Sequence, residues 1–96
     1  MKLKKLSKIL CKNNNKSYNL AKASEELQEL SLALTHQINK SGFDNSKNII
    51  EEIGDVEIRL AVIKNYYSSK EIDERIKDKC KSIKNHLKTN KYRDRV

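Results

Sequence analysis

Apolar residues recur along this chain at alternating steps of three and four, the period of an α-helix with one buried face. The pattern predicts four helices, over about residues 2–12, 18–39 and 47–67, with the last beginning after Ser68. The expected core stripe of the second helix comprises Leu20, Ala23, Leu27, Leu30, Leu34 and Ile38. That of the third comprises Ile49, Ile53, Val56, Leu60, Ile63 and Tyr67, and that of the fourth Ile72, Ile76, Cys80, Ile83 and Leu87.

Turn-forming and capping residues separate these helices. Ser17 is the expected N-cap of the second helix, and residues 39–47 form a loop around Gly42. Ser68 is the expected cap of the fourth helix, with Glu71 completing a capping box. The chain has no proline and only two glycines, which favours helices over a sheet with many tight turns. The sequence therefore predicts an all-α fold, a small four-helix bundle.

The 96 residues are enough for one small domain, which we expect to span 1–96. Residues 1–16 form its basic N-terminal helix and loop, 17–88 its main helices, and 89–96 a charged tail. Only 36% of the residues are hydrophobic, so one copy can bury only a limited core. We therefore expect a homodimer or homotetramer in which subunit contacts complete the core.

The cellular location is predicted from the absence of a signal peptide, a membrane-spanning segment and paired cysteine motifs in the sequence. The basic N-terminus has no apolar run of the kind found in signal peptides, and no segment approaches the ~20 apolar residues that span a bilayer. Cys11 and Cys80 have no CxxC partner and no histidine within four residues, which disfavours a zinc site or a disulfide scaffold. These features predict a soluble, cytoplasmic protein without membrane contact.

The formal net charge of +8 is unevenly distributed. Residues 1–22 contribute +7, residues 23–58 contribute −6, and residues 59–96 contribute +7. An acidic centre between basic arms suits a cation-bound polyphosphate better than a continuous nucleic-acid track. A lysine-rich protein with a merely solvated surface is the alternative that charge alone leaves open.

The acids of the centre occur in two similar motifs, EELQE at 25–29 and EEIGD at 51–55. Glu26 and Glu29 each precede a leucine of the second stripe, and Glu52 and Asp55 border the third stripe in the same way. If the two helices pack antiparallel, four carboxylates meet at the rim of the core. Repulsion among them would be relieved by a divalent cation, and hard oxygen ligands favour Mg²⁺ or Mn²⁺. Taken singly, either motif is more typical of a solvated helix face.

With these motifs the sequence resembles the MazG-like, all-α nucleoside triphosphate pyrophosphohydrolases, whose signature is EExxE on one helix and EExxD on the next. The resemblance extends over about residues 17–88, including LAKASEELQEL, IIEEIGDVEIRLAVI and IDERIKDKCKSI. It is closest to the short single-domain members found in phages and bacteria, and in a phage-encoded case the protein would act in the host cytoplasm. The resemblance implies Mg²⁺-dependent hydrolysis between the α and β phosphates of a nucleotide, giving the monophosphate and pyrophosphate.

The resemblance also implies roles for individual residues. The Mg²⁺ ligands would be Glu26, Glu29, Glu52 and Asp55. Glu25 would be either an outer carboxylate or a ligand of a second metal, and it is a candidate for orienting the attacking water. Glu25 and Glu26 are the expected catalytic residues. Lys79 would contact phosphate.

Four further substrate-binding candidates rest on position alone. Arg59 and Lys22 lie four residues from an acid of the motifs, so each either contacts phosphate or forms an ion pair, and for Arg59 a salt bridge with Asp55 is favoured. Asn19 and Tyr18 precede the first motif, where relatives place groups that read the base. Tyr18 either stacks on a base or packs in the core.

Two other functions remain as alternatives to the hydrolase. One is a catalytically inactive relative that binds and sequesters a nucleotide. The other is a basic helical protein that binds nucleic acid through residues 1–16 and 77–95. It ranks last, because the lysines there have few interleaved aromatics and no base-reading motif.

Overall fold

The computed structural model describes residues 1–89, and these are all-α. Four helices follow one another in the chain: α1 (Leu3–Asn13), α2 (Lys16–Asn39), α3 (Ser46–Ile63) and α4 (Ser69–Lys88). A short 3₁₀ helix, Lys64–Tyr66, follows α3 directly. The predicted fold class and the number of α-helices are confirmed, and the predicted tail beyond Thr89 lies outside the described residues.

The chain divides into two compact units, one from Met1 to Tyr66 and one beginning at Tyr67. In the first unit, α2 packs mainly on α3, and α1 packs mainly on α3. The turn between α2 and α3 is held by side chains: Asn45 Nδ2 donates to the Ala33 carbonyl at 2.9 Å, and Gln37 Nε2 donates to the Phe43 carbonyl at 2.6 Å. Gly42 takes the left-handed φ of 80° that this turn requires. The result is an antiparallel helical hairpin.

Two helix ends differ from the predictions. The N-cap of α2 is Asn15 and not Ser17, because the Asn15 side chain accepts the Tyr18 N–H at 2.8 Å. The third helix ends at Ile63, so Tyr67 lies beyond it and not in its stripe. The predicted cap of α4 is confirmed, since the Ser68 hydroxyl accepts the Glu71 N–H at 3.2 Å.

The buried face of α2 is rotated relative to the predicted one. The residues turned toward the interior recur at steps of four and three and are Asn19, Ala23, Glu26, Leu30, Ala33 and Gln37. We call this row the α2 seam. The predicted core leucines Leu27 and Leu34 remain 44% and 43% exposed, and Ile38 remains 80% exposed. The expected stripe was therefore confirmed at Leu20, Ala23 and Leu30 and wrong at Leu27, Leu34 and Ile38, and a glutamate occupies a seam position.

The corresponding face of α3 runs through Ile49, Glu52, Val56 and Arg59. Val56 is buried as predicted, whereas Ile53 remains 45% exposed. Ala23 and Ala33 are both buried, and their small side chains let α3 approach α2 closely. Each helix thus carries one glutamate at the level where the two seams meet.

The second unit contains α4. Its apolar stripe is present, but none of its described residues is buried, and Ile76 and Leu87 are more than half exposed. None of the helices within residues 1–89 combines the length and apolar character needed to cross a membrane.

Candidate metal centre

Carboxylates from α2 and α3 come together where the two seams cross. One carboxylate oxygen from each of Glu26, Glu52 and Asp55 lies within 4.8 Å of the other two. Two oxygens bound to one Mg²⁺ are separated by at most about 4 Å, given metal–oxygen distances of about 2.1 Å. Small side-chain rotations would therefore bring all three acids to a common ion.

Two of these acids are partly withdrawn from water. Glu26 and Glu52 are half-buried, and Oε2 of each is inaccessible to solvent and has no hydrogen-bond partner. Buried polar atoms are almost always paired, and a buried carboxylate oxygen without a donor is unfavourable. Asp55 is exposed and forms the open side of the cluster.

The electrostatics of the cluster follow from this crowding. Burial is the largest cause that raises the pKa of Glu26. The charge of Glu29 and a hydrogen bond between Glu26 and Glu29 raise it further, as do the charges of Asp55 and Glu25. Burial also raises the pKa of Glu52, with further increases from the charges of Glu26 and Asp55, against a hydrogen bond to Glu29 that lowers it. Glu29 thus lies near both seam glutamates without being one of the three closest acids.

Glu25 points to the outer side of the cluster. Its carboxylate is exposed and pairs with Lys22, Nζ to Oε2, at 3.4 Å. Lys22 Nζ also lies 5.8 Å from the centre of the Tyr18 ring, which is 46% exposed. Lys22 therefore forms an ion pair with Glu25 and not with Glu26, and Tyr18 has an accessible ring rather than a core position.

Arg59 lies one helical turn after Asp55, but the expected salt bridge between them is absent from the described part of the chain. That prediction was wrong. Nη1 of Arg59 is buried and has no hydrogen-bond partner. A guanidinium N–H without a partner can donate to an anionic oxygen, and Nη1 would have to become exposed to reach one from outside.

Asn19, a candidate for base recognition, is fully buried. Its Nδ2 donates to the Tyr66 hydroxyl at 2.8 Å and to the Leu10 carbonyl at 3.3 Å. The side chain thus joins α1, α2 and the 3₁₀ helix and faces the protein interior. Lys79, the candidate phosphate contact, lies exposed on α4 in the second unit.

Sequence reasoning did not single out Tyr66 as a partner of Asn19. The bond with Asn19 lowers the pKa of Tyr66, while a hydrogen bond with Cys11 and burial raise it, and the net change is upward. Tyr66 falls within the predicted third helix but off its predicted stripe, and it lies in a 3₁₀ turn that α-helical periodicity does not describe.

Comparisons of this chain with protein-family models, with curated proteins and with solved structures find no match. The interpretation of the cluster consequently depends on its own geometry and on the chemistry of its residues.

The raised carboxyl pKa values predict how stability depends on pH in the presence of a chelator. An acid whose pKa is higher in the folded state binds its proton more tightly there than in the unfolded chain. The resulting stabilisation is fully present below the ordinary glutamate pKa of 4.5 and is lost as the pH rises through the raised values. Urea unfolding between pH 4 and 7 should show the wild type losing stability relative to Glu26→Gln as pH rises. Parallel curves for the two proteins would contradict this prediction.

Proposed function

We propose that the protein is a Mg²⁺-dependent nucleotide pyrophosphohydrolase that converts a nucleoside triphosphate, or a related nucleotide, to the monophosphate and pyrophosphate. The observation that carries the proposal is the convergence of Glu26, Glu52 and Asp55, with two buried carboxylate oxygens that lack any donor. Accumulated negative charge in a partly buried site favours a divalent cation with oxygen ligands. The two acidic motifs that resemble the MazG-like signature supply these residues.

In this proposal Glu26, Glu52 and Asp55 hold Mg²⁺, and Glu29 completes the set. When bound, the ion neutralises phosphate charge and polarises a water molecule. Mn²⁺ fits the same oxygen ligands. Addition of a water molecule across the anhydride between the α and β phosphates would form one phosphorus–oxygen bond, break the bond to the bridging oxygen, and release the monophosphate and pyrophosphate.

The chain's own residues have separate tasks around the substrate. Glu25, exposed beside Glu26, accepts a hydrogen bond from the attacking water and so orients it, and its pairing with Lys22 fixes the carboxylate. Arg59 would donate its unpaired Nη1–H to a phosphate oxygen after a side-chain rotation that exposes this buried atom. Lys22 and the exposed Tyr18 ring lie side by side, where a cation and an aromatic face suit a nucleotide's phosphate and base. Lys79 stays a phosphate contact predicted by the resemblance alone, because it lies on α4 in the second unit.

The activity is tested by incubating the purified protein with a panel of NTPs and dNTPs, with Mg²⁺ and with EDTA. We expect pyrophosphate and the monophosphate to accumulate only with the metal. Release of inorganic phosphate and a diphosphate would place the cleavage elsewhere and contradict the proposal. Tight nucleotide binding in calorimetry without any product would instead identify the inactive, sequestering alternative.

We further propose that the protein acts as a homodimer or homotetramer. Among the described residues only Ala23, Ala33, Val56 and Val62 form the fully buried apolar core. Leu27, Leu34 and Ile38 of α2 share one exposed flank of the seam, and Ile53 lies on the matching flank of α3. In an antiparallel pair these two flanks lie on the same side, and a second copy presents the same surface for a two-fold contact.

Replacing Leu34 by Gln is expected to weaken this association, because a polar amide would be buried at the contact. Sedimentation velocity should show a mass of at least twice 11.2 kDa for the wild type and a shift toward the single chain for the variant. Thr35→Gln, one residue away from the apolar flank, is the matched control and should sediment like the wild type. A wild type that remains at 11.2 kDa at high concentration would rule out the proposed contact.

A further inference from the structure

The N-terminal helix carries a strip of lysines that the proposed hydrolase does not use. Lys2, Lys4, Lys5, Lys8 and Lys12 are all exposed, and we call them the lysine face. Lys4, Lys8 and Lys12 follow at four-residue steps and so form one row with a rise of about 6 Å between neighbours. The side chains of Lys2, Lys4, Lys5 and Lys8 line one surface depression.

The opposite side of α1 is occupied by the protein itself. The buried Ser7 hydroxyl accepts from Asn65 Nδ2 at 3.5 Å, and the Leu10 carbonyl accepts from Asn19. Leu6 and Leu10 are half-buried, and α1 packs on α3. The orientation of the helix is therefore fixed, and the lysine face is held toward solvent.

Within the described residues, no acid pairs with these lysines. The first acid in the chain is Glu25, and none of the five forms an ion pair within residues 1–89. Glu57 borders a depression with Leu3 and Lys64 but makes no ion pair with the lysine face in that range. Like charges at four-residue spacing destabilise a helix by about 0.2–0.5 kcal/mol per pair.

The position of the charges within α1 is also unfavourable for stability. The first turn of α1 contains no acid, and Lys4 and Lys5 lie there, at the positive end of the helix dipole. A solvated helix selected for stability alone favours acids at this end. The arrangement is explained by an external polyanion that supplies the missing negative charge.

We propose that the lysine face binds the phosphodiester backbone of nucleic acid without reading its sequence. Duplex DNA carries about one charge per 1.7 Å of its axis, so the ~12 Å from Lys4 to Lys12 face several phosphates. Backbone contacts position a protein but carry no base information, which agrees with the lack of base-reading residues on this face. An anionic membrane fits less well, because interfacial helices insert an apolar face and that of α1 is packed on α3.

The test is fluorescence anisotropy of the full chain with a labelled 20-bp DNA duplex and with a labelled single-stranded RNA, at 50 and 200 mM salt. If about four phosphates are neutralised, the duplex affinity should fall about 100-fold between these salt concentrations. The variant Lys4→Gln/Lys8→Gln/Lys12→Gln should bind more weakly, and its slope of log K against log salt should decrease by about three. The RNA series shows whether a single strand serves as well as a duplex.

The control variant is Lys40→Gln/Lys47→Gln/Lys64→Gln, which loses the same net charge from other exposed positions. It should keep the salt slope of the wild type, and circular dichroism confirms that both variants are folded. If both variants lose the same nucleic-acid affinity, net charge alone explains the binding, and the proposal is overturned. Absence of nucleic-acid binding at 50 mM salt, with binding to vesicles containing phosphatidylserine, would overturn it in favour of a membrane surface.

Discussion

Glu26→Gln should reduce pyrophosphate release by at least about 100-fold and leave the metal-free protein as stable as the wild type or more so. The loss of activity follows because a metal ion contributes several kcal/mol of charge stabilisation, and each 1.36 kcal/mol corresponds to a factor of ten in rate. The gain in stability follows because Glu26 is half-buried among Glu29, Asp55 and Glu25, and a neutral amide removes that repulsion. A residue that binds the metal at a cost to folding stability is expected to show this combination, lower activity and higher stability when it is replaced.

The measurements are steady-state pyrophosphate release and thermal unfolding with EDTA and with increasing Mg²⁺. Mg²⁺ should raise the Tm of the wild type, because a ligand that binds only the folded state stabilises it, and the variant should lose most of this shift. Glu57→Gln is the matched control, since Glu57 is exposed on α3 outside the three closest acids, and it should behave as the wild type. Full activity of the Glu26→Gln variant would show that Glu26 is not a ligand of the catalytic metal.

Much of the fold was predictable because local signals determine it. The cap at Ser68 and the glycine turn at Gly42 each follow from the chemistry of one or two residues, and the structure has both. The approach of Glu26, Glu52 and Asp55 was predictable from matched spacing on two helices that a short loop makes antiparallel. The caps and turns need only contacts close in sequence, whereas the meeting of the acids joins residues far apart in sequence through the short loop between α2 and α3.

The phase of the α2 seam was not predictable in the same way. Two rows of α2 share Ala23 and Leu30; one continues through leucines and the other through Glu26, Ala33 and Gln37, and hydrophobicity favours the leucines. The structure buries the second row, because small residues permit a close approach of α3. Leu27 and Leu34 therefore stay exposed and available for the proposed contact between subunits. Glu26 places a charged residue at an inward position where the helical pattern calls for an apolar one. Such exceptions are expected where function constrains the sequence.

The side of α2 that faces the interior also determines the role of Asn19. On sequence it belongs with Tyr18 and Lys22 near the first motif, where a base contact is expected. In the structure the three separate: Tyr18 and Lys22 face solvent together, and Asn19 is fully buried. We therefore assign Asn19 to the junction of α1, α2 and the 3₁₀ helix.

Asn19→Ala should accordingly destabilise the protein by about 1–3 kcal/mol, since it removes two hydrogen bonds of about 0.5–1.5 kcal/mol each. The Tyr66 hydroxyl loses its 2.8 Å donor and the Leu10 carbonyl its 3.3 Å donor, but the Leu10 carbonyl keeps the Asn14 N–H at 3.2 Å, so it is not left unpaired. The existing lack of a partner for Asn19 Oδ1 offsets part of this cost, since alanine removes that unpaired atom. For a 96-residue chain such a change is a large share of the total stability.

Urea unfolding of Asn19→Ala, Tyr66→Phe and the double variant measures the contribution of the pair. Tyr66→Phe should cost less, about 1 kcal/mol, because Asn19 Nδ2 keeps the Leu10 carbonyl as an acceptor. The double variant should be more stable than the sum of the single effects predicts, since each single change removes the same hydrogen bond. At a temperature where Asn19→Ala is still folded, its KM for nucleotide should equal that of the wild type. An increased KM with unchanged stability would instead return Asn19 to the base-binding residues and require α1 to move away from it.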